Sequence, residues 1–191
     1  GSLIARKGLH ILLEALAALP AGAWALEIVG DGGRDAAYAA RIRRQIARLG
    51  LAGAVEVRGA LDDGGLAQAY ARSHILAVPS AYEGFGIAYL EAMTFGLPVL
   101  ASAAGGAAEI VTHGETGYLV PPASPAILAD HLLRLANDRP LLARLGQAAR
   151  RSALARPGWV DSMETIRQFL LSMAPSGAAA PALSVALGGV Q

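Results

Sequence analysis

Hydrophobic positions along the first two thirds of the chain alternate between two periods. Leu9, Leu12, Leu13, Leu16 and Leu19 recur at helical spacing, whereas Trp24 to Val29 is a compact apolar run that ends at Gly30-Asp31-Gly32-Gly33. The first pattern predicts a helix and the second a strand entering a turn. A long helix is predicted over 35–49, where Ile42, Ile46 and Leu49 mark one face, arginines 41, 44 and 48 another, and Gly50 is the stop. The alternation continues with a strand near 54–58, a helix near 65–72, and a strand over 75–78 closed by Pro79-Ser80. A helix opened by Gly86, a strand over 98–102, a short helix over 106–111 and a brief strand over 118–120 come next. Helices over 124–137, 139–155 and 159–171 complete the pattern, and residues 2–4 read as a short first strand.

Short strands separated by helices predict an α/β fold with a parallel sheet covered on both faces, since each parallel crossover needs a helix. Ligands of such sheets bind beyond the carboxyl ends of the strands. The glycine-rich loops after Val29, Val78 and Ser102 therefore belong on one rim. No internal repeat is present, and no shift in composition precedes the final stretch. Residues 1–171 are expected to form one domain and 172–191, rich in Ala, Pro and Gly, a loosely held tail.

Composition narrows the function classes. Of 191 residues, 54% are hydrophobic and 16% charged, which excludes a disordered chain. Lys and Arg total 16 against 15 Asp and Glu, so the net charge of +1 sets up no broad field for nucleic acid or an acidic membrane; any anion must be met by local groups. Without cysteine there is no disulfide, thiolate nucleophile or zinc-thiolate site, and a cytoplasmic location is expected. Nothing at the start has the basic and apolar regions of a signal peptide; with no initiating methionine, the chain reads as a piece of something longer. From Gln168 onward no residue is charged, yet Pro175, Pro181 and several glycines argue against a transmembrane segment.

The candidate chemistry gathers in Glu83-Gly84-Phe85-Gly86-Ile87-Ala88-Tyr89-Leu90-Glu91, two carboxylates eight positions apart around a glycine-bracketed aromatic. If Gly86 opens a helix, Glu83 lies in the loop before it and Glu91 in its second turn. The amides of Phe85, Gly86 and Ile87 then sit at the positive helix end, facing an electron-rich ligand. Glu91 is suited to a vicinal diol such as a ribose, and Glu83 to sugar hydroxyls or positive charge at a reacting carbon. By itself the pair reads more readily as a solvated loop acid and an exposed helix residue. Lys7-Gly8, at the entrance to the first helix, offers a point cation for a diphosphate beside a glycine that admits close approach; a solvated helix-start lysine is the ordinary alternative. Gly30-Asp31-Gly32-Gly33 lacks the G-x-G-x-x-G spacing and reads as a tight turn that lets a ligand pass. Gly105-Gly106, with Glu109 beyond, reads equally well as a phosphate or hydroxyl contact and as ordinary turn chemistry. His113-Gly114-Glu115-Thr116-Gly117 reads as a structural turn, and Asp62 or Asp63 as a helix cap. His10, His74, His113 and His131 have no metal-ligand spacing, and Ser80 and Ser102 lack nucleophile-elbow surroundings.

Taken in order, Lys7-Gly8-Leu9, Ile28-Val29-Gly30-Asp31-Gly32, Pro79-Ser80-Ala81-Tyr82-Glu83-Gly84-Phe85-Gly86, Glu91-Ala92-Met93, Gly96-Leu97-Pro98-Val99, Gly105-Gly106-Ala107-Ala108-Glu109-Ile110-Val111 and Gly114-Glu115-Thr116-Gly117-Tyr118-Leu119-Val120-Pro121-Pro122 resemble the C-terminal half of the family 4 glycosyltransferases, the glycosyl transferases of group 1. The resemblance implies a GT-B architecture, two Rossmann-like domains facing a cleft. This chain is then the nucleotide-sugar-binding domain, and the N-terminal acceptor domain lies outside it. By the same resemblance Glu91 binds the donor ribose, Glu83 stands beside the transferred sugar, and Phe85, Gly86 and Ile87 meet sugar or phosphate through their backbone. Lys7 stabilises the departing diphosphate, Gly30 lies along the donor, and Arg58 opens the loop nearest the base. The family's second cation is an arginine where Ser2 stands, and Arg6 is its candidate replacement. The implied activity is that of a retaining, hexosyltransferase-like enzyme, with a UDP or GDP sugar as donor substrate, no cofactor and no metal.

Two other readings differ in class. One is a nucleotide-sugar-binding or regulatory module without turnover, motivated by Ser2. The other is a dinucleotide-dependent oxidoreductase, which the missing glycine fingerprint disfavours. Peripheral membrane attachment, if any, falls to the domain outside this chain. The sequence does not specify the sugar, the base, the acceptor or the oligomeric state.

Overall fold

The computed structural model describes residues 1–173. A 3-10 turn, Ala5–Lys7, leads into α1 (Leu9–Ala17), β1 (Leu26–Val29), α2 (Ala36–Arg48), β2 (Val55–Gly59), α3 (Asp63–Arg72) and β3 (Leu76–Val78). Then follow α4 (Ile87–Thr94), β4 (Val99–Ser102), α5 (Ala107–Ile110), β5 (Gly117–Val120), α6 (Pro125–Asn137) and α7 (Arg139–Leu154). These elements belong to one compact unit, Gly1–Ala155; α8 (Trp159–Met173) falls in a second that starts at Arg156. The tail expected from Ser172 lies, beyond Met173, outside the described residues.

Local chemistry explains several boundaries. Asp35, Asp62 and Asp138 each accept a hydrogen bond from an amide in the first turn of α2, α3 and α7, at 2.9, 2.8 and 2.9 Å. Each such cap contributes about 1 kcal/mol. Asp62 is therefore a cap, as the turn pattern predicts. Pro125 and Pro140 open α6 and α7 at positions where a missing N–H costs nothing.

All strand pairings are parallel, and every strand-to-strand connection carries a helix. β4 is buried along its whole length, the pattern of a strand covered on both faces. Leu12 and Leu16 of α1 pack with Leu100, Tyr118 and the inner faces of α6 and α7. Leu13 turns toward Ile28, Tyr38 and Ile42. Tyr89 and Met93 of α4 close over Val99, Ala101 and Ile110.

The α/β, Rossmann-like class holds, but the sheet is not continuous. β1 pairs with β2, and β3, β4 and β5 form a separate group in that order. Residues 2–4, predicted as a strand, are not one: Leu3 N donates to Asp31 O at 2.7 Å, past the end of β1, and the preceding Gly1 amino group donates to Val29 O, at its last residue, at 3.3 Å. Among the described residues no helix is long and apolar enough to cross a membrane.

Candidate functional site

Three loops meet at the carboxyl ends of β3 and β4, and glycines permit the meeting. Gly8 adopts a left-handed conformation, φ 71°, and a Cβ there would lie 2.0 Å from Pro79 O. Beside it Ala81 N donates to Arg6 O at 2.7 Å, so the turn carrying Arg6 and Lys7 is seated on the strand end that leads to Glu83. From the other side Gly105, φ 74°, comes so near that a Cβ would lie 2.2 Å from Glu83 O. Gly106 N donates to that same oxygen at 2.7 Å, and Glu83 N donates to Ala104 O at 3.4 Å. The backbone of Glu83 is thereby clasped, and side chains at either contact glycine would push the loops apart.

Electrostatics follow from that placement. Glu83 is 8% exposed, not the solvated acid of the ordinary reading. Its Oε2 accepts from Lys7 Nζ at 2.7 Å and from the buried Ser80 hydroxyl at 3.3 Å, with Arg6 Nη1 at 3.9 Å. Arg6 also donates to Tyr82 O. Burial raises the Glu83 pKa, but the hydrogen bond and charge of Lys7, the charge of Arg6 and the Ser80 hydroxyl outweigh it and hold the carboxyl below its ordinary value. At neutral pH Glu83 is a carboxylate. Burial first, and then the Glu83 charge, push the Tyr89 phenol up to about 12. Tyr89 stays protonated and donates to Val78 O at 3.3 Å.

Gly86 starts α4 in a left-handed conformation, φ 85°, and a Cβ there would meet the Tyr89 ring at 2.5 Å. Among the described residues, the amides of Phe85, Gly86, Ile87 and Ala88 donate to no protein acceptor. They border a cavity of about 270 Å³ lined by Lys7, Glu83, Phe85, Gly86, Ile87 and Tyr89, among others. Phe85 and Ile87 are exposed at its mouth. The site thus combines a cation, a buried carboxylate and the positive end of a helix around a space of sugar or phosphate size, and it suits an anionic, hydroxyl-bearing ligand.

Not every residue singled out from the sequence lies there. Glu91, in the second turn of α4, is exposed and does not line this cavity; it accepts from the Tyr70 hydroxyl at 3.2 Å. Tyr70 packs on Phe95 at 5.5 Å, and burial together with the Glu91 charge holds its phenol well above the ordinary value. Gly30 does not line this cavity. A Cβ at Gly30 would lie 1.7 Å from Gly1 O, so the room the glycine makes is filled by the chain's own first residue. Arg58 does not line the cavity either: it pairs with Glu56 at 2.9 Å and stands 3.8 Å from Glu27, which also pairs with Arg72.

Tyr89 and Tyr70 have no role in the sequence pattern, and Ser80 reads there only as a strand end without the surroundings of a nucleophile. Tyr70 carries no local signal, because the residue it holds is on another helix. The turn after α5 is structural, as expected: His113 Nδ1 lies 3.2 Å from both Leu119 N and Leu119 O, and Thr116 Oγ1 accepts from Thr112 N. His131 stacks on Tyr118 at 4.1 Å. Among the described residues no group of three or more His, Asp or Glu is placed to hold a metal ion.

Residues 1–152 match the family described as Glycosyl transferases group 1. A D-inositol 3-phosphate glycosyltransferase of Streptomyces bingchenggensis is 38% identical over 130 residues, 68% of this chain and 28% of the relative. A GDP-mannose-dependent alpha-(1-6)-phosphatidylinositol monomannoside mannosyltransferase of Mycobacterium tuberculosis is 33% identical over 178 residues, 88% of this chain and 45% of the relative. The crystal structure of Anabaena Alr3699/HepE in complex with UDP-glucose superposes with a TM-score of 0.82 at 34% identity, covering 91% of this chain and 47% of that one. The chain therefore spans less than half the length of these relatives. It belongs to the group 1 glycosyltransferases, with the α/β architecture of their GT-B structures.

Proposed function

We propose that this chain is the donor-binding half of a retaining glycosyltransferase, which moves a sugar from a nucleoside diphosphate to an acceptor hydroxyl. The observation that carries the reading is the 2.7 Å Lys7–Glu83 pair, set in a cavity bordered by the unengaged amides of α4. Lys7 and those amides are suited to charge that builds on the departing diphosphate. They supply positive charge without a metal ion. Glu83, held ionised, is suited to positive charge at the anomeric carbon and to sugar hydroxyls; as an anion it is not a proton donor to the leaving group. Glu91, steadied by Tyr70, receives the ribose diol. The relatives' length supports an acceptor-binding partner domain beyond this chain, so the isolated chain binds donor weakly and does not turn it over.

The test uses the complete parent enzyme. Glu83→Gln is expected to leave donor affinity within about threefold and to lower turnover by about 10²-fold or more, the loss typical of a group acting mainly in the transition state. The anomeric configuration of the product, read from proton couplings, tests retention. Full turnover in that variant would remove Glu83 from the mechanism. Saturable donor binding by the unsubstituted parent, with no transfer to any acceptor, would favour the regulatory-module reading.

A further inference from the structure

Helices α1 and α2 meet through apolar contact and through directed hydrogen bonds, and those bonds gather on a single residue. Leu13 packs with Tyr38 and Ile42, a contact that holds the helices together but, being non-directional, does not fix where along its axis either one sits. His10 is held differently. Its amide donates to the Tyr38 hydroxyl at 3.2 Å, its Nδ1 lies 2.9 Å from that same oxygen, and its carbonyl accepts from Gln45 Nε2 at 3.0 Å. Tyr38 and Gln45 are both buried.

The proton positions follow from these partners. Because the Tyr38 oxygen accepts from the His10 amide, its own hydrogen goes to Nδ1, and the imidazole carries its proton on Nε2. Both groups are in the required forms at pH 7. Burial, and then the charge of Arg41, lower the His10 pKa more than Glu14 raises it, so the ring is neutral. Burial raises the Tyr38 pKa more than the His10 amide, Arg41 and the Leu9 amide lower it, so the phenol keeps its hydrogen. Gly8, the residue before α1, has no side chain to cap the helix; Tyr38 supplies the cap from α2, while Asp35 binds the amide of Tyr38 itself. The positive end of α1 is thus engaged from within the protein, whereas that of α4 is left to the cavity.

We propose that Tyr38 is a positioning residue for the transfer reaction: hydrogen-bonded to His10, its hydroxyl fixes the start of α1 and so the place of Lys7 at the diphosphate, without touching the donor. This role rests on the reading of Lys7 as the diphosphate cation. Lys7 ends the 3-10 turn, Gly8 joins that turn to α1, and His10 is the second residue of the helix. Gly8 N donates to Ala5 O, and Ile11 N and Leu12 N donate to Gly8 O, so turn and helix share one hydrogen-bonded backbone. That backbone is held twice. Pro79 and Ala81 seat it on the end of β3, and Tyr38 and Gln45 tie it to α2. Loss of the second hold lets Lys7 move with the helix start, and a shift of about 1 Å in a positioned group is enough to weaken its action on a reacting centre. Tyr38 does not line the cavity, so its effect reaches the donor through Lys7.

The test is a double-mutant cycle on the complete parent enzyme, with UDP and GDP affinity read by calorimetry and folding checked by thermal melting. Tyr38→Phe is expected to weaken binding about three- to tenfold when Lys7 is present, and by less than about twofold in the Lys7→Ala background, since it acts through that lysine. His10→Leu should match Tyr38→Phe, whereas His10→Asn, which keeps an acceptor near the place of Nδ1, should stay within about twofold of the unsubstituted enzyme. Should Tyr38→Phe not fold, the two His10 variants decide by the same comparison. Unaltered affinity in Tyr38→Phe and His10→Leu, or equal losses with and without Lys7, would overturn the proposal while leaving the diphosphate reading in place. Equal losses in His10→Leu and His10→Asn would also overturn it. No loss in Lys7→Ala would overturn the diphosphate reading, and the positioning role with it.

Discussion

Replacing Glu83 by glutamine removes one negative charge while nearly preserving the volume of the side chain. Its direct partner is Lys7 Nζ at 2.7 Å, and the two side chains are 10% and 26% exposed, so solvent screens the pair only in part. A hydrogen bond to a charged group contributes about 1.5–3 kcal/mol and a neutral one about 0.5–1.5 kcal/mol. Glu83→Gln keeps an acceptor for Lys7 and for Ser80, so the expected loss is the difference, about 1–2 kcal/mol. Arg6, at 3.9 Å and 43% exposed, adds little. In a unit of this size each kcal/mol moves the melting temperature by about 2–4 °C, which places the variant about 2–8 °C lower at pH 7. The pH dependence has a definite sign. Glu83 is held below its ordinary carboxyl value in the folded chain, so its stabilisation is complete above the unfolded value of about 4.3 and is lost as pH falls through the lower folded value. Melting curves followed by circular dichroism should therefore separate the two proteins at pH 7 and converge in strong acid. Identical curves at pH 7, or a gap unchanged at the lowest pH, would mean that the Glu83 charge does not stabilise the fold.

Two further perturbations probe the loops around that carboxylate. Gly105→Ala places a Cβ 2.2 Å from Glu83 O at φ 74°, and is expected to cost about 2–4 kcal/mol, read as a lower urea midpoint; an unchanged midpoint would mean the clasp is not rigid. Tyr70→Phe removes the 3.2 Å hydrogen bond to the exposed Glu91, so stability should change by less than about 0.5 kcal/mol while nucleoside diphosphate affinity falls about two- to fivefold; unaltered affinity would separate Glu91 from Tyr70 in binding.

Much of this arrangement was legible in the sequence because its signals are local. Apolar runs that stop at glycine or Pro79 marked the strands, and Asp35, Asp62 and Gly86 stand where helices begin. What failed to read out depends on residues distant in the chain. Lys7 and Glu83 are separated by 76 positions, and the depressed pKa of Glu83 arises from their contact. The same holds for Tyr70 and Glu91, 21 positions apart on different helices. The surroundings of Arg58 and Gly30 are likewise set by distant residues: Glu27 stands 3.8 Å from the first and Gly1 packs beside the second. A strand pattern at residues 2–4 gave no sign that its hydrogen bonds would reach only the end of β1, since pairing is settled by the neighbours on both sides.

The central claim is that Lys7 and the start of α4 form a diphosphate site. Calorimetric titration of UDP and GDP into the complete parent enzyme, with and without Lys7→Ala, tests it most directly. Saturable binding of one of the two nucleotides is expected, weakened about tenfold or more by the substitution, the loss of one charge-assisted contact. Binding of equal strength in both proteins, or no binding of either nucleotide to the unsubstituted enzyme, would contradict it.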